Sequence, residues 1–230
     1  MNKDSKFIQI TTPCSPMYAE NSHRSELVNQ LLYNEIARVL EENEDWIKVQ
    51  SGIDKYVGWI LSSQAKTVDH KGYMKVQGFR NIKRKHDFLI PFGAFIEGEA
   101  EAGSIDQVIK KGFTFLNAPY LWGGKTLFGI DCSGLMQVLL RVCGVSLPRD
   151  ASQQVLVGNV VEFSDRQKGD LAFFKNKAGV VTHVGLLISK ESILHASGTV
   201  RIDQFNKDGI WNESSRKLTH TFHSIKRVIS

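Results

Sequence analysis

The sequence predicts an α+β protein in two parts: a small β-barrel, then a mixed domain built on an antiparallel sheet. Three observations predict it. Before about residue 98, apolar and β-branched residues come in short runs broken by Asn, Gly and Asp, the texture of short strands that close into a small barrel. From Ser104 onward, two runs with apolar residues at helical spacing come first and five strand-like runs follow, which suggests helices packed on an antiparallel sheet. Between them, GEAEAGSID (98–106) is small and polar. A domain boundary is expected there, giving residues 1–103 and 104–230.

In the first part, LLYNEIARVLEEN, DWIKVQS and YVGWILSS read as strands, and FLIPFGAFIEGE as a further strand pair bent at Pro91 and Gly93. In the second, IDQVIKKGFTFL is a helix with Ser104 as its N-cap and Ile105, Val108 and Ile109 on one face. DCSGLMQVLLRVCG is the next helix. Its Leu135, Val138, Leu139 and Val142 fall at i, i+3, i+4 and i+7, with Arg141 in the last turn and Gly144 at the C-cap. KGDLAFFK, VVTHVGLLIS, SILHASG, VRIDQF and HSIKRVI read as strands. His220 and His223 lie three apart in HTFHSIKRVI, a segment that reads as a strand, so alternation puts them on opposite faces and argues against a ligand pair.

Composition removes several classes of function. Hydrophobic residues make up 42% and charged residues 23% of 230 positions, ordinary for a globular chain with a sizeable core. No apolar run approaches the ~20 residues of a membrane span, and no membrane partner is expected. The opening MNKDSKFIQITTP has no apolar h-region, which gives the expectation of a cytoplasmic protein, or of an exported one if a leader was removed. Three scattered cysteines do not form a disulfide framework, and no CxxC or HExxH supports zinc. No metal and no cofactor are expected. The net charge of +5 gathers in RNIKRKH (80–86), a solvated loop or a patch for an anionic partner. No Gly-rich phosphate loop or interleaved aromatic pattern accompanies it, so nucleic acid is not expected.

The chemistry points to YLWGGKTLFGIDCSGL (120–135). Cys132 falls at a helix start, where unpaired N–H groups and the positive end of the macrodipole favour a thiolate and can hold an oxyanion. Asp131 is placed to cap that helix. Cys143 suits a buried structural thiol; Cys132 suits it poorly, between Asp, Ser and a Gly-rich loop. A cysteine nucleophile needs a base and a group that orients the base. His183 and His195 lie in consecutive apolar strands, twelve residues apart. They share a sheet face if the reversal through ISKES is an odd-length loop or carries a bulge.

The order Y-x-W-G-G, D-C-S-G-L, L-P-R-D-x-S-Q-Q, G-D-L-x-F-F, H-V-G, H-A-S-G over residues 105–230 closely resembles the NlpC-type (NlpC/p60) cell-wall cysteine peptidases. The resemblance implies a papain-like α+β catalytic domain with Cys132 as nucleophile, His183 as base and His195 orienting it. It also implies that the Tyr120 hydroxyl helps the oxyanion site and that Asp131 and Ser133 line the amino-terminal side of the substrate, with Trp122 and Arg149 in the pocket. SELVNQLLYNE, DWIKVQ and YVGWI resemble bacterial SH3-like domains. One branch of the family shares this layout. It cleaves the γ-D-glutamyl bond to a diamino acid in free murein peptides with an unblocked L-Ala. In that branch the barrel walls off the site, and acids and tyrosines hold the ammonium. Asp131 and Tyr56 match that role, with Glu35 or Glu20 as further barrel candidates. Position 151 is Ala where some relatives carry Ser, so one substrate hydrogen bond is absent or replaced.

These residues imply a cytoplasmic peptidase that recycles murein peptides of the form L-Ala-γ-D-Glu-diamino acid. An exported hydrolase of intact wall would use the same three residues. A wall-binding module would not need a poised thiol. Acyl transfer would follow if an amine replaced water at the thioester.

Overall fold

The computed structural model describes residues 6–68, 83–85, 88–95, 103–213 and 215–229. The N-terminal strands are β1 (Phe7–Ile10), β2 (Cys14–Tyr18), β3 (Leu27–Leu32), β4 (Ile36–Asn43), β5 (Trp46–Ser51), β6 (Val57–Leu61) and β7 (Ala65–Val68). They form one antiparallel sheet in the order β3-β2-β6-β5-β4-β1-β7. Alternation is clearest in β5, where Ile47, Val49 and Ser51 point inward. The small core holds Ile8, Ile10, Met17, Leu31, Val49 and Ile60. This is the small β unit that the short runs predict.

In FLIPFGAFIEGE the first residues form β9 (Phe88–Ile90), which pairs with β8 (Lys83–Lys85), while residues 96–99, where the second strand of the expected pair falls, lie outside the described residues. Residues 91–95 form an irregular turn that lays Phe92 and Ala94 on the catalytic-side core. Most of the boundary stretch, and residues 80–82 and 86 of the basic run, lie outside the described residues.

The second part opens with α1 (Ile105–Phe113), capped as expected. The Ser104 hydroxyl accepts from the Gln107 N–H, and the Gln107 side chain bonds back to the Ser104 N–H. The short hairpin β10 (Lys125–Thr126) and β11 (Gly129–Ile130) leads into α2 (Cys132–Leu140), and α3 (Ala151–Gln154) follows. Seven strands complete the domain: β12 (Asn159–Val161), β13 (Leu171–Lys175), β14 (Val181–Leu187), β15 (Ser192–Ser197), β16 (Thr199–Phe205), β17 (Gly209–Asn212) and β18 (Lys217–Arg227). Their order is β12-β18-β13-β14-β15-β16-β17, and β17 also pairs with β18. The antiparallel sheet therefore curls shut, with β12 as an extra strand on β18.

The two faces of this sheet hold separate cores. Val184, Leu186, Leu194 and Ala196 face α2, and all nine α2 residues are buried. A helix apolar all round must be enclosed; burying each Leu, Val or Met contributes about 1.5–3 kcal/mol. The interior face carries Ala172, Phe174, Leu187, Ile193, Phe205 and Ile210. Arg141 falls in the last turn, as expected, at the C-cap of α2. It begins a 3-10 turn that ends at Gly144, a left-handed residue with φ 76°, and its guanidinium is buried against the barrel.

Candidate active site

The helix start is built by Asp131. Its carboxylate accepts from the Gly134 N–H at 2.7 Å and from the Gly123 N–H at 2.8 Å. The first bond caps α2; the second ties down the Tyr120–Gly124 loop. Gly134 allows this close approach, since a Cβ there would lie 2.4 Å from the Gly124 carbonyl oxygen. The Ser133 hydroxyl also donates to Asp131, and the buried Arg149 guanidinium grips it through Nη1 at 3.0 Å and through Nη2.

A carboxylate offers about four lone-pair sites, and these five donors come from the protein itself. Asp131 organises the helix start, neutralises Arg149 and, as expected of a residue beside the substrate, lines the cavity next to Cys132.

The Cys132 sulfur takes bonds from the backbone N–H groups of Val184 and Ser133, which places it at the junction of α2 and β14. Burial pushes its thiol up to about 12, the Asp131 charge adds to this, and the two N–H groups and Arg149 pull the other way without prevailing. The helix start alone predicts a lowered thiol, but full burial outweighs it. The resting sulfur is a neutral thiol that needs a base.

The structure brings His183 and His195 together. Leu187 pairs with Ile193, so five residues span the reversal between β14 and β15. That odd number satisfies the condition for a shared face. His183 Nε2 lies 2.8 Å from His195 Nδ1, with the rings edge to face. Gly185 clears the space, because a Cβ there would lie 2.9 Å from the Cβ of His195. Burial, then the charges of His220 and His195, hold His183 well below the usual imidazole range, so it is neutral and able to accept a proton.

Tyr120 is half-buried, close enough to Cys132 and Asp131 to feel their charges. Burial, then the charges of Cys132 and Asp131, raise its phenol well above the usual value, so it stays a donor.

A cavity of about 420 Å³ opens onto Cys132. Ser133, Arg149 and Ala151 line one side, Trp122 stands at its rim, and Tyr56 reaches in from the barrel. Tyr56 is fixed there by Asp54. That carboxylate accepts from the Tyr56 N–H at 3.1 Å and from Gln137 Nε2 of α2 at 3.0 Å. Burial would raise Asp54, but the Lys125 charge and these bonds hold it down at about 2. The barrel loop is thus bolted to the helix that carries Cys132.

Glu35 belongs to the same bolt and not to the cavity. It is buried, paired with Arg141 Nη1 at 2.7 Å and 4.0 Å from Lys125 Nζ. A carboxylate between two buried cations is committed to them, which overturns its expected contact with substrate. Glu20 sits at the exposed β2–β3 turn, outside the cavity.

Comparison with known proteins agrees with this architecture. Residues 117–219 match the NlpC/P60 family. This part of the chain is an NlpC/P60 domain. Residues 17–64 match the bacterial dipeptidyl-peptidase Sh3 domain. The gamma-D-glutamyl-L-lysine dipeptidyl-peptidase of Bacillus subtilis is 41% identical over 101 residues, 43% of this chain and 34% of that protein. The match therefore spans about a third of that relative's length. Dipeptidyl-peptidase 6 of Lysinibacillus sphaericus is 25% identical over 236 residues, covering 79% of this chain and 84% of the relative. An NlpC/P60 family crystal structure from Bacillus cereus superposes with TM-score 0.50 and 22% identity over 99% of this chain and 64% of that one, a likeness of fold.

Two residues of this NlpC/P60 domain escaped the sequence reading. Asp150 lines the cavity beside Arg149. It stands at the N-cap of α3 yet makes no side-chain cap bond. Burial raises its carboxyl, Arg149 lowers it, and Tyr56 feels its charge. The block L-P-R-D carried the signal, but only its arginine was singled out. His220 is the second. A bulge in the pairing of β13 with β18 turns it inward, and it stacks on His183 with centroids 4.0 Å apart and planes 25° apart. His183, His195 and His220 lie close enough to suggest a metal cluster. Two nearly parallel stacked rings, however, send their in-plane lone pairs side by side instead of to one point.

Proposed function

We propose that the protein is a cysteine peptidase that cleaves the γ-D-glutamyl bond to a diamino acid in murein peptides with a free N-terminal L-Ala, in the recycling of cell-wall peptides. One observation carries this reading: Asp150, a carboxylate without a hydrogen-bond partner among the described residues, faces Tyr56 across the cavity that holds Cys132. A half-buried carboxylate beside a phenol suits an ammonium, and a site built for a buried cation rejects an analogue that lacks it. The name borne by the Bacillus subtilis relative, a gamma-D-glutamyl-L-lysine dipeptidyl-peptidase, supports the same bond, and that of the Lysinibacillus sphaericus relative, dipeptidyl-peptidase 6, supports release of a dipeptide.

The chemistry follows from the positions. The ammonium of L-Ala sits at Asp150 and Tyr56, which carries the γ-glutamyl carbonyl toward Cys132. The sulfur pair forms the C–S bond as the thiol proton passes to His183, and the carbonyl pair moves onto oxygen. Backbone N–H groups at the start of α2 and the Tyr120 hydroxyl receive that oxyanion. On collapse the C–N bond breaks, and His183 returns the proton to the diamino acid nitrogen. Water, deprotonated by His183, then hydrolyses the thioester.

The test is a three-substrate comparison using free L-Ala-γ-D-Glu-diamino acid peptide, its N-acetyl form and intact sacculi. Release of L-Ala-γ-D-Glu from the free peptide alone supports the proposal. Equal cleavage of the blocked peptide, or digestion of sacculi without preference for a free amine, would overturn it.

A further inference from the structure

The pair His183–His195 does not end at His195. The Nε2 of His195 lies 3.1 Å from Oδ2 of Asp203, whose side chain is only 6% exposed. Register puts it there: in the pairing of β15 with β16, His195 is opposite Arg201 and Ile193 is opposite Asp203, so all four side chains share the interior face. Arg201 Nη2 donates to Asp203 Oδ1 at 3.0 Å and its Nε lies 2.9 Å from Oδ2. Asn212 Nδ2 approaches from β17 at 3.4 Å. Burial would raise the Asp203 carboxyl, but its bonds to His195 and Arg201 outweigh this and hold it below the usual range.

From this geometry we infer that Asp203 is a positioning residue that sets the tautomers of both His195 and His183, an inference that rests on the peptidase reading above. A carboxylate can only accept, so His195 Nε2 carries the proton. A neutral His195 then has a lone pair at Nδ1. His183 Nε2, 2.8 Å away, must donate to it. The remaining nitrogen of His183, Nδ1, is left bare, and it is the ring nitrogen nearer its own main chain. Cys132 is bonded by the N–H of Val184, the next residue. One carboxylate thus selects, through two rings, the form of His183 that can take the thiol proton. When His183 becomes an imidazolium, the Asp203 charge stabilises it through His195 without Asp203 itself being protonated. Among the described residues, the other charged or titratable groups beside the two rings are Arg201 and His220.

Asp203→Asn tests this sharply. Arg201 would claim the single carbonyl oxygen and turn the amide N–H toward His195. Both tautomers would then reverse, leaving His183 Nδ1 protonated. In a related triad, the Asp→Asn change lowers kcat about 10⁴-fold through a wrong tautomer, and one ring further away the expected loss is about 10²–10³-fold. KM should stay within a few-fold. Asp203→Ala, which removes the group without enforcing the wrong tautomer, should lose less than Asp203→Asn, and Asp203→Glu should recover part of the activity. A merely structural residue would give the opposite order, because Asn is the isostere. Imidazole ¹⁵N spectra need no substrate: they should show His183 protonated at Nε2 in the parent and at Nδ1 in Asp203→Asn. Unchanged tautomers, or an Asn variant as active as the parent, would overturn the inference. Failure of the substrate assignment would leave the spectra free to decide it.

Discussion

Replacing Asp150 with Asn keeps the shape of the cavity wall and removes its negative charge. The carboxylate is half-buried, faces Tyr56 and is not used by α3 as a cap. Stripping one partner from a fully desolvated ion pair costs about 3–5 kcal/mol. Half-burial admits some solvent screening, so about 2–3 kcal/mol is expected here, a roughly 30- to 150-fold fall in kcat/KM for the free-amine peptide. The N-acetyl peptide has no ammonium to lose and should be cleaved equally poorly by both proteins. The assay is the ratio of kcat/KM for free and blocked peptides in parent and variant. Acid should mimic the substitution. Burial raises the Asp150 carboxyl above the ordinary carboxylate value, so preference for the free amine is present above that raised pKa and fades as pH falls through it. If the ratio were unchanged in Asp150→Asn, the ammonium would be bound elsewhere and the reasoning from the unpartnered carboxylate would fail.

Three further outcomes follow from the same geometry. Arg149→Met leaves the buried Asp131 carboxylate without its cation and should cost about 3–5 kcal/mol in thermal or denaturant unfolding, with much of that recovered when Asp131→Asn is added. Gly185→Ala forces a Cβ to within 2.7 Å of Ile193 and 2.9 Å of His195. It should cost about 1–3 kcal/mol of stability and, by displacing His195, lower kcat by more than that loss would imply. Burial, then the charge of His195, holds His220 down at about 4 against 6.5 in the unfolded chain. Its share of stability is present above pH 6.5 and is lost as pH falls toward 4. Denaturant titrations at pH 7 and 4.5 should therefore differ by about 2–3 kcal/mol more in the parent than in His220→Phe.

Local pattern revealed the helix start, its cap and the two strands that carry His183 and His195, because helical spacing and strand alternation are written in neighbouring residues. It also framed the parity condition that the five-residue reversal satisfies. What it missed depends on distant approach. Nothing near Glu35 shows that Arg141 and Lys125 will meet it across the two domains. Asp131 reads as an open carboxylate until Arg149 and the Gly123 N–H arrive. His220 was placed in its strand correctly, but its approach to His183 depends on the bulge between β13 and β18. Asp203 sits in VRIDQF as an ordinary alternating acid, and only the register of β16 against β15 turns it toward His195.

The thiol pushed up to about 12 and the imidazole held well below its usual range have a joint consequence. A resting thiolate–imidazolium pair would need the thiol to be the stronger acid, and burial makes it the weaker one. In the proposed mechanism the proton therefore stays on sulfur until a carbonyl is in place, and transfer to His183 accompanies C–S bond formation. Charge then appears on His183 and on the carbonyl oxygen in the same step, where His195–Asp203 and the N–H groups of the helix start are already oriented. Such groups do little for the bound ground state and much for the transition state, which is why their loss should be read in kcat and not in KM. On the proposed reading, the same burial that would disable an isolated cysteine confines its reactivity to a substrate whose ammonium has found Asp150.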